Sequence, residues 1–122
     1  MTDTDVKADA NVDIKAMVLA SLEDLKAQDI VVMDVKQKTT VTDWVIVASG
    51  TSSRHVKSIA NSVNVDAKKV GLKPYGIEGD DTGEWVLVDL GDVVVHVMQK
   101  DVRKFYDLES LWKMDTSHRE DS

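Results

Sequence analysis

The sequence predicts a single α/β domain in which helices flank a mixed β-sheet. With 122 residues, the chain is long enough for one ordinary hydrophobic core. Segments with apolar residues at helical spacing alternate with β-branched runs, a pattern typical of parallel strands joined through helices. A valine-rich stretch near the C-terminal end is interrupted by a Gly-Asp pair, which predicts a tight hairpin and therefore antiparallel strands as well.

The first helix is predicted between residues 11 and 28. It is followed by "DIVVMDV", residues 29–35, which is rich in β-branched residues and predicts a short strand. The apolar residues that recur at helical spacing in the first segment are Ile14, Met17, Val18, Leu22 and Leu25.

A strand and a second helix are predicted next. "DWVIVASG", residues 43–50, has apolar residues on both faces, which is typical of a strand inside a covered sheet. Thr51 or Ser52 can cap the following helix, which Gly71 and Pro74 end. The predicted buried stripe of this helix is Val56, Ile59, Val63 and Val70. A strand, a helix and another strand of these lengths predict at least one parallel pair.

The remaining segments complete the domain. "KPYGIEGDDTG" is rich in turn residues and is predicted to hold a short edge strand at residues 75–78. The last segment places four apolar residues at helical spacing: Val102, Phe105, Leu108 and Trp112. We expect a domain at residues 11–114, with disordered tails at 1–10, which is acidic, and at 115–122.

Charge and composition limit the classes of function. Fifteen Lys and Arg against 22 Asp and Glu give a formal net charge of −7, which opposes long-range attraction to nucleic-acid phosphates and favours a basic protein partner. No apolar run approaches the length of a membrane span, and the first residues lack the pattern of a secretory signal. Together with the absence of cysteine, this predicts a cytoplasmic protein.

The predicted hairpin has two different faces. If Gly91 and Asp92 form a two-residue loop, alternation places six aliphatic residues on one face, and that face belongs to the core: Val86, Val88, Leu90, Val93, Val95 and Val97. The other face is mixed: Trp85, Leu87, Asp89, Val94, His96 and Met98. Because aromatic residues and Met are enriched at the centres of interfaces, the mixed face is a candidate docking surface. The alternative is that helices cover both faces.

Three patterns could carry chemistry, and each has a simpler explanation. Asp89, Asp92 and His96 contain metal-ligating groups, but no second histidine is nearby and Asp92 lies in the turn.

The loop "SGTSSRH", residues 49–55, could cradle a phosphate, but it lacks the Walker lysine, and helix capping explains its sequence. His55 in the same loop could pair with Ser52.

In "RKFYDLESLW", residues 103–112, acidic neighbours disfavour base stacking. The simpler explanation packs Phe105, Leu108 and Trp112 on the sheet and leaves Arg103 and Tyr106 for the rim. We expect this packing for Phe105 and Leu108, and the place of Tyr106 stays open.

Four ordered segments carry a family resemblance. "DIVVMDV", "TDWVIVASGTSSRHVKSIA", "GIEGDDTGEWVLVDLGDVVVHVMQ" and "FYDLESLW" resemble, in order and spacing, the ribosomal silencing factor family, also called the Iojap family. The resemblance spans residues 12–114, and four ordered segments are more specific than any short motif. It implies a mixed α/β fold similar to that of the nucleotidyltransferases, used for binding.

The resemblance also implies a function. Members of this family bind the large ribosomal subunit through its fourteenth protein, uL-fourteen, and block joining of the small subunit, which lowers translation when nutrients are scarce. No enzymatic activity, cofactor, metal or direct nucleic-acid contact is expected. The positions that match the docking region are Trp85, Leu90, Met98, Pro74 and Tyr106, and His96 is a polar member or support of the same surface.

Two other functions remain as alternatives. The first is a nucleotide-dependent transferase that uses the 49–54 loop with a divalent ion at Asp89 and Asp92, although the closely spaced acidic pair of the nucleotidyltransferases is missing. The second is a self-associating domain whose hairpin face pairs with its own copy. A homodimer off the ribosome is compatible with the silencing function, since it would hide the docking surface.

Overall fold

The structure, a computed structural model, describes residues 14–37 and 42–107. None of the helices in these ranges is long and apolar enough to span a bilayer. The elements are α1 Ile14–Asp24, β1 Gln28–Asp34, β2 Trp44–Gly50, α2 Ser53–Lys69, β3 Gly76–Glu78, β4 Trp85–Asp89, β5 Val93–Gln99 and α3 Lys100–Tyr106.

The five strands form one mixed sheet in the order β1-β2-β5-β4-β3. β2 and β5 are parallel, as the strand-helix-strand pattern predicted, and the other three pairs are antiparallel. The predicted edge strand is confirmed, because among the described strands β3 pairs with β4 alone. β5 therefore lies at the centre of the sheet, with the loops that follow β2 and β5 at the same end.

The main core lies between the sheet and helices α1 and α2. The aliphatic hairpin face belongs to it, since all six of the predicted residues are at most 6% exposed. Val18 and Leu22 of α1 and Ile59 and Val63 of α2 are fully buried in the same cluster. The predicted assignment of this face to the core is confirmed.

Helix α1 ends earlier than its sequence pattern predicts. Lys26 has a positive φ of 59°, its N–H donates to the carbonyl of Glu23, and the N–H of Ala27 donates to the carbonyl of Leu22. These two bonds form a Schellman motif, which ends a helix by turning one residue into the left-handed region. Leu25 lies beyond the helix, although it still packs against the core.

Helix α2 begins and ends with recognisable caps. The Ser52 hydroxyl accepts a hydrogen bond from the N–H of His55 at 3.1 Å, which confirms the predicted capping. The expected place of Val70 in the buried stripe is wrong, because the helix ends at Lys69 and Val70 is 39% exposed as the C-cap. Ala60 and Ala67 complete the buried face.

Two side chains of helix α3, those of Arg103 and Phe105, do not lie where the sequence predicts. The helix ends at Tyr106 because Asp107 adopts a left-handed conformation, with φ of 51°. Phe105 is 80% exposed rather than packed on the sheet, and Arg103 is buried, with 9% exposure, rather than at the rim. Helical spacing alone misassigned both, because Arg103 is directed to Ser49 of the sheet while Phe105 lies on the exposed side of α3. Leu108, Trp112 and both predicted tails lie outside the described residues.

Candidate docking surface on the open face of the sheet

The hairpin has the register predicted from its sequence. Leu87 lies opposite His96 and Val88 opposite Val95, and the N–H of Leu90 donates to the carbonyl of Val93 at 2.9 Å. Gly91 in the turn has a φ of 88°, which favours glycine. The turn therefore fixes which side chains lie on each face.

The second face of the sheet, called the open face below, has no helix of the size of α1 or α2 in the described ranges. Helix α3 contacts one end of this face within those ranges, so the alternative in which helices cover both faces stays a prediction. Over β1 and β2 the face is closed, with Met33, Val45 and Val47 at most 8% exposed. Over the hairpin it is half-buried, and the residues there are Trp85, Leu87, Asp89, Val94 and His96.

Helix α3 is anchored to one end of the open face. The guanidinium of Arg103 donates from Nη1 to the hydroxyl of Ser49 at 2.8 Å, and both residues are buried. Val102 packs against the small cluster that contains Met98. Because a buried guanidinium is costly without partners, this contact fixes where α3 leaves the sheet.

Trp85 lies where the open face meets α3. It is half-buried, pairs across the strands with Met98, and has its ring centroid 4.9 Å from that of Tyr106. The ring of Phe105 contacts Tyr106 edge-on at 5.0 Å, so three aromatic rings form a continuous cluster. Trp85, Phe105 and Tyr106 are called the aromatic cluster below. Tyr106 and Phe105 are 55% and 80% exposed, so the cluster extends from the sheet into solvent.

His96 is the polar residue at the middle of the open face. Its Nδ1 accepts a hydrogen bond from the indole Nε1–H of Trp85 at 3.0 Å. Its neighbours on the flanking strands are Val47 and Leu87, both apolar. Burial in these surroundings lowers the pKa of His96 from 6.5 to about 4, so the imidazole is neutral near pH 7.

Met98 and Leu90, two of the residues expected in the docking region, are buried in the free chain. Met98 is fully buried in the cluster beneath Trp85 and Val102, and Leu90 is 6% exposed in the main core. Neither side chain is presented to solvent here. Their place in a docking region stays a prediction, and in this structure Met98 supports Trp85 from below.

The far end of the hairpin carries Pro74 and Tyr75. Pro74 is half-buried, and Tyr75 is 78% exposed, with its N–H donating to the carbonyl of Asp89 at 2.8 Å. The Tyr75 ring covers the turn, because a Cβ at Gly91 would lie 2.6 Å from its Cε2. Sequence reasoning did not single out Tyr75, although an aromatic residue beside the only proline in a loop is a usable signal.

The groups proposed for metal or nucleotide chemistry are not assembled. Asp89 accepts a hydrogen bond from the N–H of Gly91, which makes it a turn cap. Asp92 lies beside the start of β2, whereas the 49–54 loop follows the end of that strand, roughly 20 Å away along seven residues. Within residues 14–37 and 42–107, no three His, Asp or Glu residues are grouped as metal ligands.

His55 has a structural role in the loop where the phosphate was considered. Its Nδ1 accepts from the N–H of Thr51 at 2.9 Å, and its Nε2 lies 2.7 Å from the carbonyl oxygen of Leu25. An imidazole with one N–H can satisfy both contacts if Nε2 is the donor. His55 therefore links the start of α2 to the end of α1, and Ser52 contacts only its backbone N–H.

A shallow cleft of about 350 Å³ lies at the ends of β2 and β5. Three cationic and two acidic residues line it, so its charge is mixed, and the two carboxylates oppose the charge of a polyphosphate. The lining residues are Asp29, Ser49, Lys100, Arg103, Lys104 and Asp107.

Comparison with known proteins places this fold in a family. The family model described as "Ribosomal silencing factor during starvation" matches residues 8–122. The chain belongs to the ribosomal silencing factor family. A ribosomal silencing factor of Chromobacterium violaceum is 49% identical over 100 residues, which is 82% of each protein.

Other members of the family agree with this assignment. A crystal structure of a Chromobacterium violaceum protein superposes with a TM-score of 0.82 at 48% identity, covering 83% of this chain and 84% of that one. A mouse protein named "Mitochondrial assembly of ribosomal large subunit protein 1" is 35% identical over 101 residues, which cover 80% of this chain and 44% of the mouse protein. The resemblance found in the sequence and the predicted α/β fold are both confirmed.

Proposed function

We propose that the aromatic cluster and the hairpin part of the open face bind the large ribosomal subunit through its protein uL-fourteen. Occupation of that site blocks joining of the small subunit and silences translation in the cytoplasm when nutrients are limiting. The observation that carries the proposal is the half-buried Trp85, which joins an apolar sheet face to two exposed aromatic rings. Aromatic side chains in such settings are frequent binding hot spots.

The net charge and the similarity to a known relative support a basic ribosomal partner. The net charge of −7 favours encounter with a positively charged protein surface and disfavours direct contact with ribosomal RNA. The name of the mouse relative refers to the ribosomal large subunit. Silencing by steric exclusion needs no cofactor and no catalytic group.

Trp85→Ala tests the proposal. Because Trp85 is half-buried rather than a core residue, we expect the variant to stay folded while affinity for large subunits falls by about 2 kcal/mol or more. Cosedimentation with purified large subunits measures the loss, and light scattering measures subunit joining. Val65→Ala is the matched control, because Val65 is 39% exposed on α2, on the other side of the sheet.

Wild-type binding by Trp85→Ala would show that the aromatic cluster is not the docking site. If the wild-type chain itself does not cosediment with large subunits, the proposed function is wrong. If the chain binds the large subunit but subunit joining is unchanged, the proposed partner is right and the proposed blocking mechanism is wrong.

Self-association through the same surface is a second candidate. Half-buried Leu87, Val94 and Trp85 form an apolar area that a second copy could cover. Dimer and ribosome would then compete for one surface. Analytical ultracentrifugation of the wild-type chain and of Trp85→Ala decides this, since a dimer on this surface must weaken in the variant.

A further inference from the structure

The hydrogen bond between Trp85 and His96 determines where His96 carries its proton. An indole nitrogen can only donate, so Nδ1 of His96, at 3.0 Å, must be the acceptor. A neutral imidazole with an accepting Nδ1 carries its hydrogen on Nε2. The contact with Trp85 thus selects one of the two tautomers.

The surroundings keep His96 in this neutral form. Val47 and Leu87 flank it across the strands, and Val94 and Met98 are its neighbours on the same face of β5. Asp89, also half-buried on this face, already accepts a hydrogen bond from Gly91. Burial of the ring disfavours the imidazolium, and protonation at Nδ1 would break the bond to Trp85.

The second ring nitrogen of His96 is left as a donor. None of the residues in the described ranges accepts a hydrogen bond from Nε2. In the same ranges, no side-chain nitrogen or oxygen is both fully buried and without a partner, and His96 is half-buried, so the described residues leave Nε2 accessible. The indole N–H of Trp85 is already used within the chain, which leaves Nε2–H as the polar group that this pair offers outward.

We infer that His96 is a positioning residue for Trp85 and that its Nε2–H donates to an oxygen of the bound partner, such as a backbone carbonyl. This inference rests on the proposed docking function. The bond to Nδ1 restrains the indole so that its ring, rather than its polar edge, is offered to the partner. Docking covers Nε2–H, which is costly unless the partner supplies an acceptor, so the pair adds directionality to an otherwise apolar contact.

Two substitutions separate the roles of the two nitrogens. His96→Asn places an amide oxygen near the position of Nδ1, so it can accept from Trp85 but offers no donor at the position of Nε2. His96→Leu removes both functions and keeps an apolar side chain of suitable size for the neighbours Val47 and Leu87. Trp85→Phe is the reciprocal variant, which keeps a ring and removes the indole donor.

Two measurements on the full-length chain test the inference. Proton exchange of the Trp85 indole N–H, followed by NMR, reports how firmly the indole is held and needs no ribosome. We expect slow exchange in the wild type and in His96→Asn, and fast exchange in His96→Leu.

Cosedimentation with large subunits reports binding. We expect affinity to fall about threefold in His96→Asn and about tenfold or more in His96→Leu.

The outcomes distinguish this inference from the proposed function. A wild-type chain that fails to bind large subunits overturns the proposed function and the donor role of Nε2, while indole exchange still decides the positioning role. If the wild type binds and His96→Leu binds equally well, the inference is wrong and the proposed function stands. Fast indole exchange in the wild type overturns the positioning role, and this measurement does not require either variant to fold.

Discussion

The two faces of the β4–β5 hairpin are built from alternate residues of the same 15-residue stretch, yet they differ in almost every physical respect. Residues such as Val86, Val88 and Val95 point to the covered face and are fully buried in a hydrophobic cluster. Their partners on the open face include an indole, an imidazole and a carboxylate, and most are half-buried. The covered face is uniformly aliphatic because it forms the core, whereas the open face carries polar groups that a core face would exclude.

Neighbouring valines on β5 provide the sharpest test of this difference. Val95→Ala removes two methyl groups from the covered face and should lower the free energy of unfolding by about 2–3 kcal/mol. Val94→Ala makes the same change on the half-buried open face and should cost about 1 kcal/mol or less. Urea denaturation measures both. Equal losses would mean that the two faces are equally packed.

Arg103→Ala tests how the open face is held in shape. Removal of the buried guanidinium leaves the Ser49 hydroxyl without its donor and frees α3, so we expect a loss of about 2 kcal/mol. The aromatic cluster should lose order, since Tyr106 reaches Trp85 from α3. Hydrogen exchange of α3 measures the change, with Lys104→Ala, at an exposed position of the same helix, as the control. Unchanged protection of α3 in Arg103→Ala would contradict the anchoring role.

Gly91→Ala tests the turn that sorts the two faces. A Cβ at this position meets the ring of Tyr75, and the φ of 88° is unfavourable for alanine, so we expect a loss of about 1–2 kcal/mol. In a Tyr75→Ala background, the part of the loss caused by the clash with the ring should disappear, whereas the part caused by the positive φ should remain. Thermal unfolding of the single and double variants separates the two contributions. A loss that is the same in both backgrounds would show that the Tyr75 ring moves aside freely.

Burial of His96 should also make the stability of the fold depend on pH. Its folded pKa of about 4 lies below the ordinary value of 6.5, so between these pH values the unfolded chain binds more protons than the folded one. His96 therefore makes stability fall as the pH drops from about 6.5 to about 4. Denaturation midpoints of the wild type and of His96→Leu across this range measure the effect, and the variant should show the weaker dependence. Parallel curves would mean that His96 is protonated in the folded chain as readily as in the unfolded one.

Much of this arrangement could be predicted from the sequence, because a strand alternates with a fixed period of two. Once Gly91 and Asp92 were taken as the turn, the position of every residue from Trp85 to Met98 on one face or the other followed. The proximity of Trp85 and His96 is a diagonal relation on one face and follows from the same register. Their hydrogen bond needed the side-chain geometry as well.

The surroundings of α3 could not be predicted in the same way. The spacing of Val102 and Phe105 indicated an apolar face, but the helix ends at Tyr106, and Phe105 is 80% exposed while Val102 packs on the sheet. Burial of Arg103 depends on Ser49, a residue 54 positions away that no local pattern connects to it. The exposed or buried state of Met98 likewise depends on what lies above it rather than on its own strand.

The parallel pairing of β2 with β5 has a consequence for how the chain folds. Every pair in that ladder, from Trp44 with Val93 to Gly50 with Gln99, joins residues 49 positions apart. The β4–β5 hairpin, by contrast, closes over a few residues and is the faster unit to form. Until β2 arrives, the hairpin has apolar residues exposed on both sides and an unpaired central edge, which is the state most prone to aggregation. A high net negative charge opposes association of such intermediates.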